Sequence, residues 1–324
     1  MLKDIFNRQI NYLRVSVTDR CDFRCQYCMH EDVTFFPKGE MLSLEELSRL
    51  TGIFIELGVK KIRLTGGEPL IRKNIDSLIL ELGKNQKLEE LTITTNGSQL
   101  HKKITTLKTA GIKRINVSVD SLDTKTFSKI TRGGSLEQVL SNIMLAKKNM
   151  IKVKINTVIM KGINDHEALG LVQFALDNEF DISFIEQMPL GEIGFDRESS
   201  YLSNQNLIKT IRENFSIFES TYHTGGPAQY YSLGNSKTKI GFISPHSHNF
   251  CDNCNRVRLS AKGELFLCLG HEDKIDLLTP LRQSESDENI KAIILDSMQK
   301  KPKSHLFDLK KKENIVRFMS HTGG

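Results

Sequence analysis

The stretch YLRVSVTDRCDFRCQYC, residues 12–28, organises the reading of the whole chain. A β-branched run ends in three cysteines, Cys21, Cys25 and Cys28, spaced C-x3-C-x2-C. Three thiolates this close can hold three irons of a cubane iron–sulfur cluster, which normally takes four protein thiolates. The remaining iron then stays open to a small molecule, as sites that do chemistry keep a free position and structural sites do not. A zinc site would ordinarily add a second C-x2-C or a His pair nearby, and the neighbouring candidate here is His30. The other plain alternative is three unrelated core thiols.

Outward from this stretch, strand-like runs recur at 11–18, 60–65, 90–95, 113–119, 152–159 and 181–188, with helix-like runs between most of them. Ser43 and Glu46 have capping-box spacing, and Asp165 is placed to cap a helix through Phe174 and Leu176. Six strands alternating with helices predict parallel βα units, curled by right-handed crossovers. A full barrel of this kind has about eight strands. The expectation is therefore an α/β fold with an incomplete (β/α)6 barrel, open on one side, over residues 1–190. Beyond it the pattern predicts a helix near 203–214 and short strands around 229–233, 239–243, 256–260 and 264–268. Helices follow at about 275–282 and 286–300. This is a C-terminal α+β extension, 191–312, that closes the barrel. Residues 313–324 lack a core-forming pattern and read as a flexible tail.

Chemistry in such barrels sits at the C-terminal ends of the strands. The first strand leads into the cysteine loop and the second into Thr65-Gly66-Gly67-Glu68-Pro69. The third leads into Thr94-Thr95-Asn96-Gly97, the fourth carries Ser118 and Asp120, and the sixth ends at Glu186, Gln187 and Met188. The paired glycines let backbone approach a ligand, and Glu68 could accept hydrogen bonds from a ligand ammonium. Tyr27, between two cysteines, could cover an adenine; alone it would read as packing.

A second set, Cys251, Cys254 and Cys268, is spaced C-x2-C-x13-C. On spacing alone, zinc completed by His271, or by His246 and His248, stands level with a second open cluster. Arg256 and Arg258 alternate after Cys254, so on a strand they share a side. Guanidinium forks suit phosphate oxygens. Arg14, Arg63 and Lys154 lie on three other expected strands. Inward-facing positive charge needs an anionic partner, so these five groups predict a polyphosphate ligand. The chain carries no G-x4-G-K-S/T, so a P-loop is not the means.

Composition narrows the class. The 324 residues are 39% hydrophobic and 26% charged, ordinary for a soluble globular protein. No apolar run approaches the roughly 20 residues of a membrane span, and the N-terminus lacks a secretory signal. Six cysteines without export signals read as reduced, metal-ligating thiols, which predicts a cytoplasmic protein and no membrane partner. The net charge of +6 raises nucleic acid as a partner, but aromatics interleaved with basic residues are not evident and there is no Trp. A zinc-stabilised nucleic-acid-binding protein would also leave the TGGEP segment without a role.

In order along the chain, YLRVSVTDRCDFRCQYCM, IRLTGGEPLIR, TTNG, RINVSVDSLD, KGIND, FIEQM, CDNCNRVRLSAKGELFLCL and a terminal Gly-Gly carry a resemblance. Together they resemble the GTP 3′,8-cyclase family of molybdenum-cofactor biosynthesis, within the radical S-adenosylmethionine superfamily. The resemblance spans essentially the whole chain. The first cysteine motif points to the superfamily; the later cysteines, the R-x-R and the Gly-Gly single out the family. It implies a radical-SAM barrel in which Cys21, Cys25 and Cys28 hold a 4Fe–4S cluster that chelates S-adenosyl-L-methionine. Cys251, Cys254 and Cys268 would hold a second 4Fe–4S cluster in the extension, in contact with guanine. Tyr27, Gly67, Ser118 and Met188 would surround S-adenosylmethionine. Arg14, Arg63, Thr94, Lys154, Arg256 and Arg258 would hold GTP. Gly323 and Gly324 would reach into the site and support the reaction.

The implied reaction is that of a lyase converting GTP to 3′,8-cyclo-7,8-dihydro-GTP. A 5′-deoxyadenosyl radical takes the ribose 3′ hydrogen and C3′ attacks C8. Implied partners are an electron donor of unknown identity and a downstream cyclic pyranopterin monophosphate synthase; the chain would be a monomer or homodimer. His30 stands where this family usually has Pro, and Asn7-Arg8 where it has Gly-Arg, which bears on loop shape and on the role of Arg8. The competing enzyme reading is a radical-SAM peptide-modifying enzyme with an auxiliary cluster, a group that often carries more than six cysteines.

Overall fold

In the computed structural model, which describes residues 2–194, 196–309 and 315–323, the six expected strands form an unbroken parallel arc. They are β1 (Tyr12–Ser16), β2 (Lys61–Thr65), β3 (Glu90–Thr95), β4 (Arg114–Ser118), β5 (Lys152–Val158) and β6 (Asp181–Ile185). The C-terminal region contributes β7 (Ile217–Ser220), β8 (Gln229–Leu233), β9 (Lys239–Ile243), β10 (Arg256–Leu259), β11 (Glu264–Phe266) and β12 (Lys274–Asp276). Two of these extend the arc in parallel, β10 beside β1 and β9 beside β6. The full order is β12-β11-β10-β1-β2-β3-β4-β5-β6-β9-β8-β7, with antiparallel pairs at both edges. Among the described residues β7 and β12 do not meet, so the barrel stays open.

Helices α1 (Leu44–Glu56), α2 (Ile75–Gly83), α3 (Leu100–Thr109), α4 (Thr124–Thr131), α5 (Leu136–Lys148) and α6 (Ala168–Asp177) fill the crossovers. The extension adds α7 (Arg197–Ser200), α8 (Asn204–Asn214), α9 (Leu278–Arg282), α10 (Asp287–Ser297) and a short α11 (Met319–Thr322). The Ser43–Glu46 capping box at α1 forms in both directions. Asp165 does not cap α6: its carboxylate accepts the Gly162 N–H at 2.8 Å, closing the preceding turn. The run expected to be one helix at 275–282 splits into β12 and α9, because Lys274–Asp276 pairs with β11.

Strand residues alternate in role. Leu13, Val15, Ile62, Leu64, Ile93, Ile115, Val117, Ile155, Ile182 and Phe184 belong to the apolar core. The intervening Tyr12, Arg14, Lys61, Arg63, Thr94, Asn116, Ser118 and Lys154 line an interior cavity. Parallel strands are usually apolar on both faces; here one face is polar because it walls a cavity.

Topology then fixes the two cysteine sets. The first follows the C-terminal end of β1 and the second precedes the N-terminal end of the adjacent parallel strand β10. Antiparallel β11 returns the chain to that same end, bringing Cys268 to Cys254. The two sets therefore occupy opposite ends of the barrel interior, separated by the length of β1, roughly 15 Å.

Candidate active site

One cavity is lined by all six cysteines and by Tyr27, Gly67, Ser118, Met188, Arg14, Arg63, Thr94, Lys154, Arg256 and Arg258. Residues scattered over 255 positions of sequence, Arg14 to Cys268, thus converge on one space. Gly323 is buried beside it, against Thr65. Gly324, expected to act with it, lies outside the described residues.

The first cysteine loop is held from two sides. Arg24 and Gln26 donate backbone N–H groups to the Thr131 and Ile130 carbonyls at the end of α4, both at 2.9 Å. Opposite, Gly67 and Glu68 donate to the Thr18 and Arg20 carbonyls at 2.7 and 2.8 Å. A Cβ on Gly67 would stand 2.3 Å from the Arg20 oxygen, so glycine here serves the approach of one loop to the other. The Phe23 N–H points at the Cys21 sulfur at 3.4 Å. Burial pushes the Cys28 thiol up to about 12, and that of Cys25 well above its ordinary value. Three half-buried thiols facing one space are a donor set for a metal cluster, whose positive charge would take them as thiolates. The residues fit.

Glu68 departs from expectation. It is fully buried and accepts from Leu70 N–H and Thr95 Oγ1, both 2.9 Å, and Asn96 N–H at 2.6 Å. Burial nevertheless pushes its carboxyl up to about 8. Three of its roughly four acceptor sites are engaged, two of them tying the TGGEP segment to the end of β3, and it is fully buried behind the cavity wall, so it is not placed to meet a ligand ammonium. Asp120 is the carboxyl that lines the cavity here. It accepts the Tyr27 hydroxyl at 2.8 Å and the Val158 N–H at 2.8 Å, and burial raises it to about 6.

Between the two cysteine sets runs a cationic wall. Register places Arg258, Arg14 and Arg63 in one row, and Arg256, Tyr12 and Lys61 in the row below. Lys154, on β5, donates to the Tyr230 hydroxyl at 2.5 Å. Glu90 pairs with both Lys61 and Arg114, each at 2.6 Å, so one negative charge is shared between two cations. Among the described residues no ion pair engages Arg63, Lys154, Arg256 or Arg258. Burial, then Arg114 and Arg63, push the Lys154 ammonium well below its ordinary range, and burial, then Arg14 and Arg256, do the same to Arg258. Such crowding is costly unless an anion enters. Lys61 and Tyr12 were missed by sequence reasoning. The alternation rule that joined Arg256 to Arg258 also joins Lys61 to Arg63 and Tyr12 to Arg14.

At the lower end, the His305 N–H points at the Cys251 sulfur at 3.4 Å. Burial would raise the Cys254 thiol, but Arg256, Lys301 and Arg8 outweigh it and bring it to about 7. Arg8 clamps this loop, donating to the Cys251 and Lys303 carbonyls at 2.8 Å and to Pro302 at 2.6 Å. The preceding Asn7 has φ +62, a left-handed turn that Gly or Asn adopts readily. His271 turns instead to the Ser304 carbonyl at 2.9 Å, and His246 to that of Gln187 at 2.9 Å.

The tail crosses the upper end. Gly191 donates to the Ile315 carbonyl at 2.7 Å, and Arg317 is paired with Glu272 at 2.9 Å. Ser320 and Thr322 are buried, Met319 lines the cavity, and Arg258 donates to the Gly323 carbonyl.

The chain matches the Radical SAM superfamily over residues 15–175 and the family described as Molybdenum Cofactor Synthesis C over residues 180–307. It is 50% identical to "GTP 3′,8-cyclase 2" of Pseudomonas aeruginosa, covering 100% of this chain and 98% of that one. It is 49% identical to "GTP 3′,8-cyclase" of Agrobacterium fabrum, covering 99% and 94%. Among solved structures, Streptococcus suis SuiB bound to S-adenosylmethionine aligns with a TM-score of 0.61 at 17% identity, over 88% of this chain and 68% of that one. At that identity the likeness concerns the fold alone. Among the described residues no helix is long and apolar enough to cross a membrane.

Proposed function

The chain belongs to the GTP 3′,8-cyclase family of radical S-adenosylmethionine enzymes, and we propose that its cavity holds S-adenosylmethionine at the upper thiol set and GTP between the two sets. The protein is a GTP 3′,8-cyclase, acting at the first step of molybdenum cofactor biosynthesis with S-adenosylmethionine and an iron–sulfur cluster. Cys21, Cys25 and Cys28 would hold that cluster, which would supply the one electron that cleaves S-adenosylmethionine to methionine and a 5′-deoxyadenosyl radical; removal of the ribose 3′ hydrogen would let C3′ bond to guanine C8, and one further electron and a proton would complete the dihydro product.

The chain's own residues position this chemistry. Tyr27, Gly67, Ser118 and Met188 wall the S-adenosylmethionine end, with Asp120 beside Tyr27 as a further acceptor. Arg14, Arg63, Thr94, Lys154, Arg256 and Arg258, joined by Lys61, take the triphosphate. Anchoring the phosphates fixes the ribose near the upper set and the base near the lower one, so reacting carbons are held rather than found by diffusion. Cys251, Cys254 and Cys268 hold a second 4Fe–4S cluster that meets the guanine. The tail, through Gly323, closes the upper end against water.

The observation that carries this reading is the cationic wall lying between two thiol sets at opposite ends of one cavity. Anaerobic, reconstituted protein supplied with GTP, S-adenosylmethionine and dithionite is expected to yield a cyclised nucleotide triphosphate and 5′-deoxyadenosine. Cleavage of S-adenosylmethionine with no GTP-derived product would refute it.

A further inference from the structure

On the outer side of the first cysteine loop, a surface groove runs between that loop and the starts of α2 and α3. Among the described residues, Cys21 is the one thiol that borders both this groove and the interior cavity. A cluster held there would therefore face substrate on one side and lie next to the protein surface on the other.

The groove is cationic. Lys73 and Lys102 are exposed on its rim and, among the described residues, make no ion pair; Arg20 stands beside Cys21. Its carboxylates are already engaged. Asp22 accepts from Asn96 Nδ2 and Ser98 Oγ, both at 2.6 Å, and Asp76 is held by Lys103 and by Thr106 Oγ1 at 2.7 Å. Phe35, partly exposed, adds an apolar face, with the Arg24 guanidinium stacked 4.9 Å from its ring.

We propose that this groove, with Lys73 and Lys102 on its rim, is where an acidic one-electron carrier protein docks to reduce the cluster held by Cys21, Cys25 and Cys28. The inference rests on the proposed cluster site. The carrier gives up one electron, a flavin hydroquinone becoming its semiquinone, and the cluster gains it; no enzyme bond forms or breaks. Unpaired lysines steer an acidic partner and set its encounter rate. Docking outside the barrel leaves GTP and S-adenosylmethionine undisturbed within it.

The test is stopped-flow mixing of cluster-loaded protein with flavodoxin hydroquinone, following the flavin absorbance. The double variant Lys73→Glu/Lys102→Glu is expected to slow flavin oxidation about tenfold or more at low salt and to flatten the salt dependence. Its iron content and its reduction by dithionite should match wild type. Lys209→Glu, on α8 and also exposed, should keep the wild-type rate. Flavin oxidation by the double variant at the wild-type rate, or an equal slowing in Lys209→Glu, would overturn the docking site. Failure of the wild type to take an electron even from dithionite would overturn the cluster reading beneath it, and the proposal with it.

Discussion

The Arg63 guanidinium donates its Nε–H to the Tyr12 hydroxyl at 2.6 Å and an Nη1–H to Thr94 Oγ1 at 3.0 Å. One side chain thus ties β2 to both neighbouring strands at the level proposed for the triphosphate. Tyr12 sits among three cations, Arg63, Arg14 and Lys61. Burial would raise its phenol, but Arg63, Arg14 and Lys61 outweigh burial and bring it down to about 7.

That shift predicts pH-dependent nucleotide binding. The folded value lies below the unfolded one, so phenolate stabilises the free protein above pH about 7 and not below it. GTP carries its own negative charge to the same cations and returns Tyr12 to the phenol. Binding should therefore take up a proton and weaken as pH rises through about 7. In Tyr12→Phe that component should vanish. Calorimetric GTP titrations in two buffers of different ionisation heat measure it directly; equal proton uptake in both proteins would contradict the assignment.

Lys154→Ala should weaken GTP binding about 10- to 100-fold, the usual cost of a lost charge-assisted hydrogen bond. S-adenosylmethionine binding should not change, because Lys154 meets Tyr230 at the phosphate level. A nucleotide titration beside an S-adenosylmethionine titration separates the two.

Gly67→Ala should destabilise the protein by about 1–3 kcal/mol through overpacking, since the new Cβ would meet the Arg20 oxygen at 2.3 Å. It should also lower iron retention by pushing the cysteine loop outward. Gly52→Ala, in α1 with open space around its Cβ position, should instead raise stability by up to about 1 kcal/mol. Thermal unfolding of the pair reads the contrast.

Removing Gly323 and Gly324 should abolish cyclisation while leaving iron content intact. Gly323 has φ +77, and a Cβ there would overlap Thr65 Oγ1 at 1.8 Å, so Gly323→Ala should act in the same direction. Product formation and iron analysis on each variant check this. Full activity of the truncation would mean the tail is a passive end.

Much of this was legible in the sequence where the signal is local. The six arc strands announce themselves as β-branched runs, and Ser43 with Glu46 announces a capping box. What was not legible depends on pairing across long sequence separation. Nothing near Arg256 says that β10 will lie parallel to β1, so the alignment of Arg258 with Arg14 and Arg63, and the placing of the cysteine sets at opposite ends, came only with the fold. Glu68 was misjudged because its partners Thr95 and Asn96 sit one strand away. Asp165 was misjudged because Gly162, three residues back, competes for its carboxylate.

The central claim is that each thiol set holds its own cluster, one for S-adenosylmethionine and one for GTP. Iron and sulfide analysis with electron paramagnetic resonance on anaerobic, dithionite-reduced protein tests it most directly. The account predicts about eight irons per chain, with one signal changing on S-adenosylmethionine and the other on GTP. About four irons with one zinc, and no signal responding to GTP, would contradict it.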